Sequence, residues 1–491
     1  MAAYLLLSLR LLVLLSNILL SLKQLQMTEI KFGTDGWRAI IAKEYTVENV
    51  KRVAEATARW MQLKGMKKVV IGYDTRFAGK MFAEATAQVM SNFDIEVILS
   101  HNFVSTPMVS LAVVKYQCDM GIVITASHNP PAYNGFKLKS SYGGPTIPSD
   151  IAEIEAIIPD NAIGRLPDIQ QLVENGQVTY HNLEDLYINH VLQNFDIEAI
   201  KNSNIGLVYD AMYGAGQNVI KRLLPDATFL HCTYNPSFMG QAPEPISRNL
   251  TELEQLIKSD VRYNLGLAND GDADRIGLYD EDGQFVDSHH ILLLLLMYLH
   301  EYKGMDGKVV ITFSVTNKMK KLAEMYGLDS EVTKIGFKYI AEIMIDEDVL
   351  VGGEESGGLA VKGHIPERDG IWIGLVIMEY MAKKGKTLKQ LIQEIYDKVG
   401  SFSFDRDDLH LTNQQKSDAI KHCESGLLNS IAGTEILSSD NLDGYKYFLP
   451  HDEWVLLRPS GTEPVLRVYA QADSPQRVRE LLDGVRKELN I

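Results

Sequence analysis

The sequence predicts an α/β protein of several domains, and three observations carry that reading. Apolar strand-like runs alternate with helix-like segments through most of the chain. The length of 491 residues corresponds to about three or four domains of ordinary size. Strand-like runs end repeatedly in loops rich in Gly, Ser, Asp, Glu or Arg, and open α/β sheets gather ligands at such strand ends.

Taken in order, residues 1–26 stand apart: they are leucine-rich and carry Arg10 and Lys23 but no acidic residue. The longest uncharged stretch, 11–22, is shorter than the ~18–20 residues that span a bilayer. No small-residue cleavage site follows, and Met27 opens a second sensible start, so this leader is expected to lie outside the mature protein. No membrane association is expected unless the leader is real. Residues 68–72, 95–99 and 121–125 supply strands, with helical spacing over 48–63 and 81–93. A polar, turn-rich stretch at 159–176 places a boundary just beyond it. A second unit opens with the strand 204–210 and closes after an acidic loop at 270–275. A third holds strands at 308–312 and 349–352 and a helix over 375–381, and the apolar run 291–299 reads as a buried helix. From 405 onward the pattern changes, with a helix over 414–427, strands near Trp454 and Leu466, and a last helix from Pro475. The resulting units are 27–180, 181–288, 289–400 and 401–491.

A net charge of −16 argues against nonspecific nucleic-acid binding, which needs a basic face. Three dispersed cysteines, Cys118, Cys232 and Cys423, lack metal spacing and point to a reducing, cytoplasmic setting with no disulfide framework.

Asp270-Gly-Asp272-Ala-Asp274-Arg275 packs three carboxylates and a cation into six residues directly after the apolar run 265–268. Alternate carboxylates in an extended loop converge on one hard divalent cation such as Mg²⁺ or Ca²⁺. An EF-hand fits positions 1, 3, 5 and 12, but Arg275 stands where its sharp turn needs glycine, and a strand rather than a helix enters the loop. Thr125-Ala-Ser127-His128-Asn129-Pro130 follows another strand and holds its serine in a tight turn. Neither Gly-x-Ser-x-Gly nor a Walker A loop surrounds it, which excludes a serine-hydrolase elbow and a P-loop. Lys137 lies ten residues on, and a lysine of depressed pKa there is suited to proton transfer. Gly353-Glu354-Glu355-Ser356-Gly357-Gly358 sets acceptors for vicinal sugar hydroxyls on a flexible backbone. Arg458-Pro-Ser460-Gly461-Thr462 combines a guanidinium, two hydroxyls and exposed amides, a cradle for a phosphate monoester.

These four loops in this order, with Gly33-Thr-Asp-Gly-Trp-Arg38 near the start, resemble the α-D-phosphohexomutase superfamily of phosphoglucomutases and phosphomannomutases, from about Ile30 to the C-terminus. The resemblance implies four domains around a central cleft: three related α/β domains and a C-terminal TATA-box-binding-protein-like α+β domain. It implies that Ser127 carries the transferable phosphate. Asp270, Asp272, Asp274 and the serine phosphate would hold one Mg²⁺. Catalytic support would come from Arg275, Arg38, His128 and Lys137. Substrate contacts would come from Glu354, Ser356, Gly336, Lys338, Arg368, Arg458, Ser460, Gly461, Thr462 and Arg467. Hexose 1-phosphate and hexose 6-phosphate would interconvert through hexose 1,6-bisphosphate, which also primes the enzyme as activator. Family sugar loops often end in Ser-Gly-His, whereas Gly358 stands here, and Glu-Glu-Ser tilts the expectation to glucose, with mannose as a second substrate. Phosphoglucosamine mutase and a catalytically silent sugar-phosphate binder are the alternatives.

Overall fold

The computed structural model describes residues 29–426, 428–459 and 465–489. The leader therefore lies outside the described residues, as do Ser460, Gly461 and Thr462. No helix among the described residues is long and apolar enough to cross a membrane.

Four main sheets follow one another along the chain. The first runs, edge to edge, Trp37–Ile40, Tyr133–Ser140, Met120–Ile124, Lys68–Tyr73, Glu96–Ser100 and Val178–His181. Its inner strands are parallel, and Tyr133–Ser140 turns back antiparallel beside Met120–Ile124. Burial on both faces explains the unbroken apolar runs of the parallel strands. The second sheet sets Leu265–Asn269 parallel to Leu207–Asp210 and antiparallel to Ile276–Tyr279. The third sets Val349–Gly353 parallel to Lys308–Thr312 and antiparallel to Leu359–Val361. One plan thus recurs three times: a parallel strand, a loop, and an antiparallel return. The apolar runs announce the parallel strands but not these returns.

The fourth sheet is antiparallel throughout, ordered Ser403–His410, Val465–Ala472, Trp454–Pro459, Tyr445–Phe448 and Ser438–Asp440. Helices Asn413–Glu424 and Pro475–Leu489 complete an α+β unit, so three α/β units and a different C-terminal one are present as expected. Thr412 closes a capping box at the start of the first of these helices.

The first three units share a continuous apolar core. Helix Ser288–Met297 is buried along its whole length, which accounts for its lack of a polar face. The fourth unit has a separate core and meets the third through a small cluster of Phe313, Trp454, Leu456 and Tyr469. All three cysteines are free and buried.

Candidate active site

The turn after Met120–Ile124 holds Ser127 at φ 51°, the left-handed region that L-residues seldom adopt. The Ser127 amide donates to Thr125 Oγ1 at 2.9 Å, and its own Oγ donates to Asp270 Oδ2 at 2.7 Å. His128 Nδ1 lies 3.4 Å from that Oγ. The second unit approaches this turn so closely that a Cβ on Gly271 would sit 2.4 Å from the Ser127 carbonyl oxygen. Glycine is required there by proximity.

Asp270, Asp272 and Asp274 occupy the tight connection between Leu265–Asn269 and Ile276–Tyr279, all buried, each with a carboxylate oxygen within 4.8 Å of the others'. Oδ1 of Asp272 and Oδ1 of Asp274 are buried without a hydrogen-bond partner. Orphaned carboxylate oxygens in a converging set are what a hard cation requires, so the donor set fits a divalent metal. Burial, and then the two sister carboxylates, push Asp270 well above the usual carboxylate range. Burial works against charge on Asp272 too, but Lys137 overrides it and holds Asp272 well below that range.

Lys137 belongs to Tyr133–Ser140, and its Nζ reaches Asp272 at 2.7 Å, Asp274 at 3.1 Å and Asp35 at 2.7 Å. Burial lowers its pKa, yet the three carboxylates outweigh it and the ammonium is held well above its ordinary value. The expectation of a depressed lysine is therefore corrected: three anions surround it. Arg368 pairs with Asp35 and, at 2.7 Å, with Asp274, while Lys139 pairs with Glu367 at 2.5 Å. His128 is held well below its usual value by burial and then by Arg275 and Arg38, so its imidazole is neutral.

A cavity of about 550 Å³ lies between the four units above this floor. Arg38 reaches it from the first, Arg275 from the second, Gly336, Lys338, Glu354, Ser356 and Arg368 from the third, and Arg458 and Arg467 from the fourth. Nine lysines and arginines line it against five carboxylates, so an acidic protein focuses positive potential where an anion would enter. Arg38 is oriented by Asn129 Oδ1 at 2.7 Å. The Arg275 backbone pairs with Gly358, tying the aspartate loop to the glutamate loop. Burial pushes Glu354 up to about 7 against the opposing pull of Arg368. Gly336 opens helix Phe337–Asp346 at φ 137°, and the Lys338 ammonium lies 5.2 Å from the Tyr339 ring centroid. On the fourth unit Arg458 holds Asp443 at 3.2 Å and Arg467 approaches Asp408 at 3.7 Å.

Models of the phosphoglucomutase/phosphomannomutase family match the chain in sequence. The α/β/α domain I spans residues 29–163, domain II 185–283, domain III 287–399 and the C-terminal domain 443–488. The chain belongs to this family. It is accordingly an intramolecular phosphotransferase, an isomerase of the phosphohexomutase type. A phosphoglucomutase/phosphomannomutase of Thermococcus kodakarensis is 31% identical over 92% of this chain and 96% of its own length. A phosphoglucosamine mutase of Methanococcus maripaludis is 30% identical over 92% of this chain and 96% of its own. A crystal structure from Thermus thermophilus, provisionally named a phosphomannomutase, superposes with a TM-score of 0.84. It is 33% identical, and the match covers 94% of this chain and all of that one.

Several residues of this phosphohexomutase site escape sequence reading. Asp35 sits inside the Gly33–Arg38 motif without a mark of its own, although it faces Lys137, Lys139 and Arg368 together. Those cations hold it well below the carboxylate range despite burial. The two lysines at i and i+2 on Tyr133–Ser140 point to one face of the sheet, and that spacing is the available signal. Thr106, which donates to Asp272 at 2.5 Å, and Arg406, which reaches Glu355 at 3.5 Å, carry no local signal.

Proposed function

We propose that the protein interconverts the 1- and 6-phosphates of glucose, with mannose as a second substrate, using Ser127 as the phosphoryl carrier. The reading rests on one observation above the others: Ser127 Oγ lies 2.7 Å from Asp270 within a three-aspartate cluster, beneath a cationic cavity shared by four units. A Mg²⁺ held by Asp270, Asp272, Asp274 and the serine phosphate would neutralise charge on the transferring oxygens.

The protein's own groups then have assignable tasks. The phosphoryl group of phosphoserine 127 passes to the free hydroxyl of a hexose monophosphate, breaking the serine ester and forming hexose 1,6-bisphosphate. The proton of the attacking hydroxyl ends on the departing Ser127 Oγ, and His128, whose Nδ1 lies 3.4 Å from that oxygen, is placed to relay it there. Lys137 stays charged and offsets negative charge, as do Arg38 and Arg275. Glu354 and Ser356 receive sugar hydroxyls, with Gly336, Lys338 and Arg368 beside them. Arg458, Ser460, Gly461, Thr462 and Arg467 hold whichever phosphate is not reacting. The bisphosphate turns end for end, and its other phosphate returns to Ser127.

Phosphoglucosamine mutase is the second reading, favoured by relatives that carry that name along nearly their whole length. The test offers glucose, mannose and glucosamine 1-phosphates separately, with Mg²⁺ and a trace of the matching 1,6-bisphosphate. The 6-phosphates are followed by ³¹P NMR. Highest kcat/KM on glucose 1-phosphate, lost in Ser127→Ala, is expected. Preference for the amino sugar replaces the glucose assignment, and release of free phosphate without isomer overturns mutase action.

A further inference from the structure

We infer that Arg76 is a positioning residue for phosphoryl transfer, clamping the Ser127 turn in the backbone form that carries the nucleophile. The inference rests on Ser127 being the phosphoryl carrier.

Asp74-Thr75-Arg76 leaves the end of Lys68–Tyr73, and Arg76 is buried to 1% exposure, away from the cavity. Its Nη2 donates to the carbonyls of Ser127 and Asn129, both at 2.6 Å. Its Nη1 donates to those of Pro130 at 3.0 Å and Tyr133 at 2.9 Å. Nε lies 3.2 Å from Asp74 Oδ2, and that same oxygen accepts from Thr125 Oγ1 at 2.5 Å. Thr125 Oγ1 in turn accepts the Ser127 amide. One guanidinium–carboxylate pair therefore reaches both sides of the Ser127 backbone. Phe238, from the second unit, lies with its ring centroid 5.0 Å from the guanidinium.

The turn needs an outside donor. Pro130 and Pro131 contribute no N–H. Although the Tyr133 amide reaches the Pro130 carbonyl at 3.0 Å, no backbone amide of the turn reaches the carbonyl of buried Ser127 or that of half-buried Asn129. Ser127 at φ 51° is a conformation that the surroundings must impose. In a trans peptide the C=O and N–H point opposite ways, so drawing the Ser127 carbonyl to Arg76 turns the His128 amide away from the guanidinium. A planar fork serves four carbonyls at once, which a lysine's point charge cannot reproduce.

The experiment compares Arg76→Lys and Thr125→Val with the full-length parent. Hydrogen–deuterium exchange is read over residues 126–134, with kcat and KM on the preferred hexose phosphate and Tm as a fold control. Arg76→Lys is expected to speed exchange in this segment at least tenfold. Its kcat should fall by about 10²-fold with KM within about threefold, as misplacement of a reacting group predicts. Thr125→Val, which leaves the buried ion pair in place, should lower kcat per folded molecule by about tenfold. Wild-type kcat per folded molecule in both variants, or unchanged exchange in Arg76→Lys, overturns the inference. If the parent isomerises no hexose phosphate, the mutase reading fails, while the exchange contrast still decides whether Arg76 clamps the turn.

Discussion

On the floor of the cleft, Lys137, Asp272 and Asp274 expose none of their side-chain surface to solvent. On the rim contributed by the fourth unit, Arg458, Asp443, Arg467 and Asp408 keep between 22% and 37% of theirs. Floor charges have lost their hydration and depend on one another. Removing one partner there leaves an uncompensated buried charge, costing about 3–5 kcal/mol. Exposed rim pairs contribute about 0–1 kcal/mol and exchange partners with water at little loss. The packing repeats the contrast: the first three units share one core, whereas the fourth docks through a small aromatic cluster. A fixed floor suits chemistry that needs preorganised charge, and a loosely paired rim suits a phosphate that must be held, released and exchanged for its twin.

That comparison is best broken at the floor. Ser127→Ala should abolish isomerisation, by at least about 10³-fold, because the phosphoryl carrier is gone. Its Tm should stay near that of the parent, and intact mass should lose the ~80 Da of a covalent phosphate. Lys137→Met should cost about 3–5 kcal/mol in chemical denaturation, since Asp35, Asp272 and Asp274 would face one another without their shared cation. A loss below about 1 kcal/mol, the range of exposed pairs, would show the floor to be no more rigid than the rim.

Glu354 tests the boundary between the two regions. The folded protein keeps its proton up to about 7, while an unfolded glutamate releases it at its ordinary value near 4.5. This group's stabilisation is present below 4.5 and is lost as pH rises through 7. The Tm of Glu354→Gln relative to the parent should therefore climb between about pH 5 and about pH 8. A flat difference would place Glu354 in a more hydrated setting. The smallest stability effect belongs to the rim. Arg458→Gln should change stability by less than about 0.5 kcal/mol yet raise KM about tenfold through a lost phosphate contact. A stability loss as large as that of Lys137→Met would erase the distinction.

Much of this is legible without coordinates, because much of the chemistry is local in sequence. The aspartate triad, the serine turn and the glutamate loop each occupy a handful of consecutive residues, and apolar runs place the strands that present them. The four-unit α/β architecture follows from the same alternation and from family resemblance. Lys137 shows where locality ends. A lysine on a polar strand reads as a surface or proton-shuttling group. Only folding surrounds it with carboxylates, from residue 35 of its own unit and from residues 272 and 274 of the second unit packed onto that face. Arg76 and Asp35 are silent for the same reason, since their partners lie more than 50 and more than 100 residues away. The chain's local pattern determines which strands form and which donors stand at their ends. Burial and long-range pairing determine whether each donor is charged, and both exist only once the units have closed on one another.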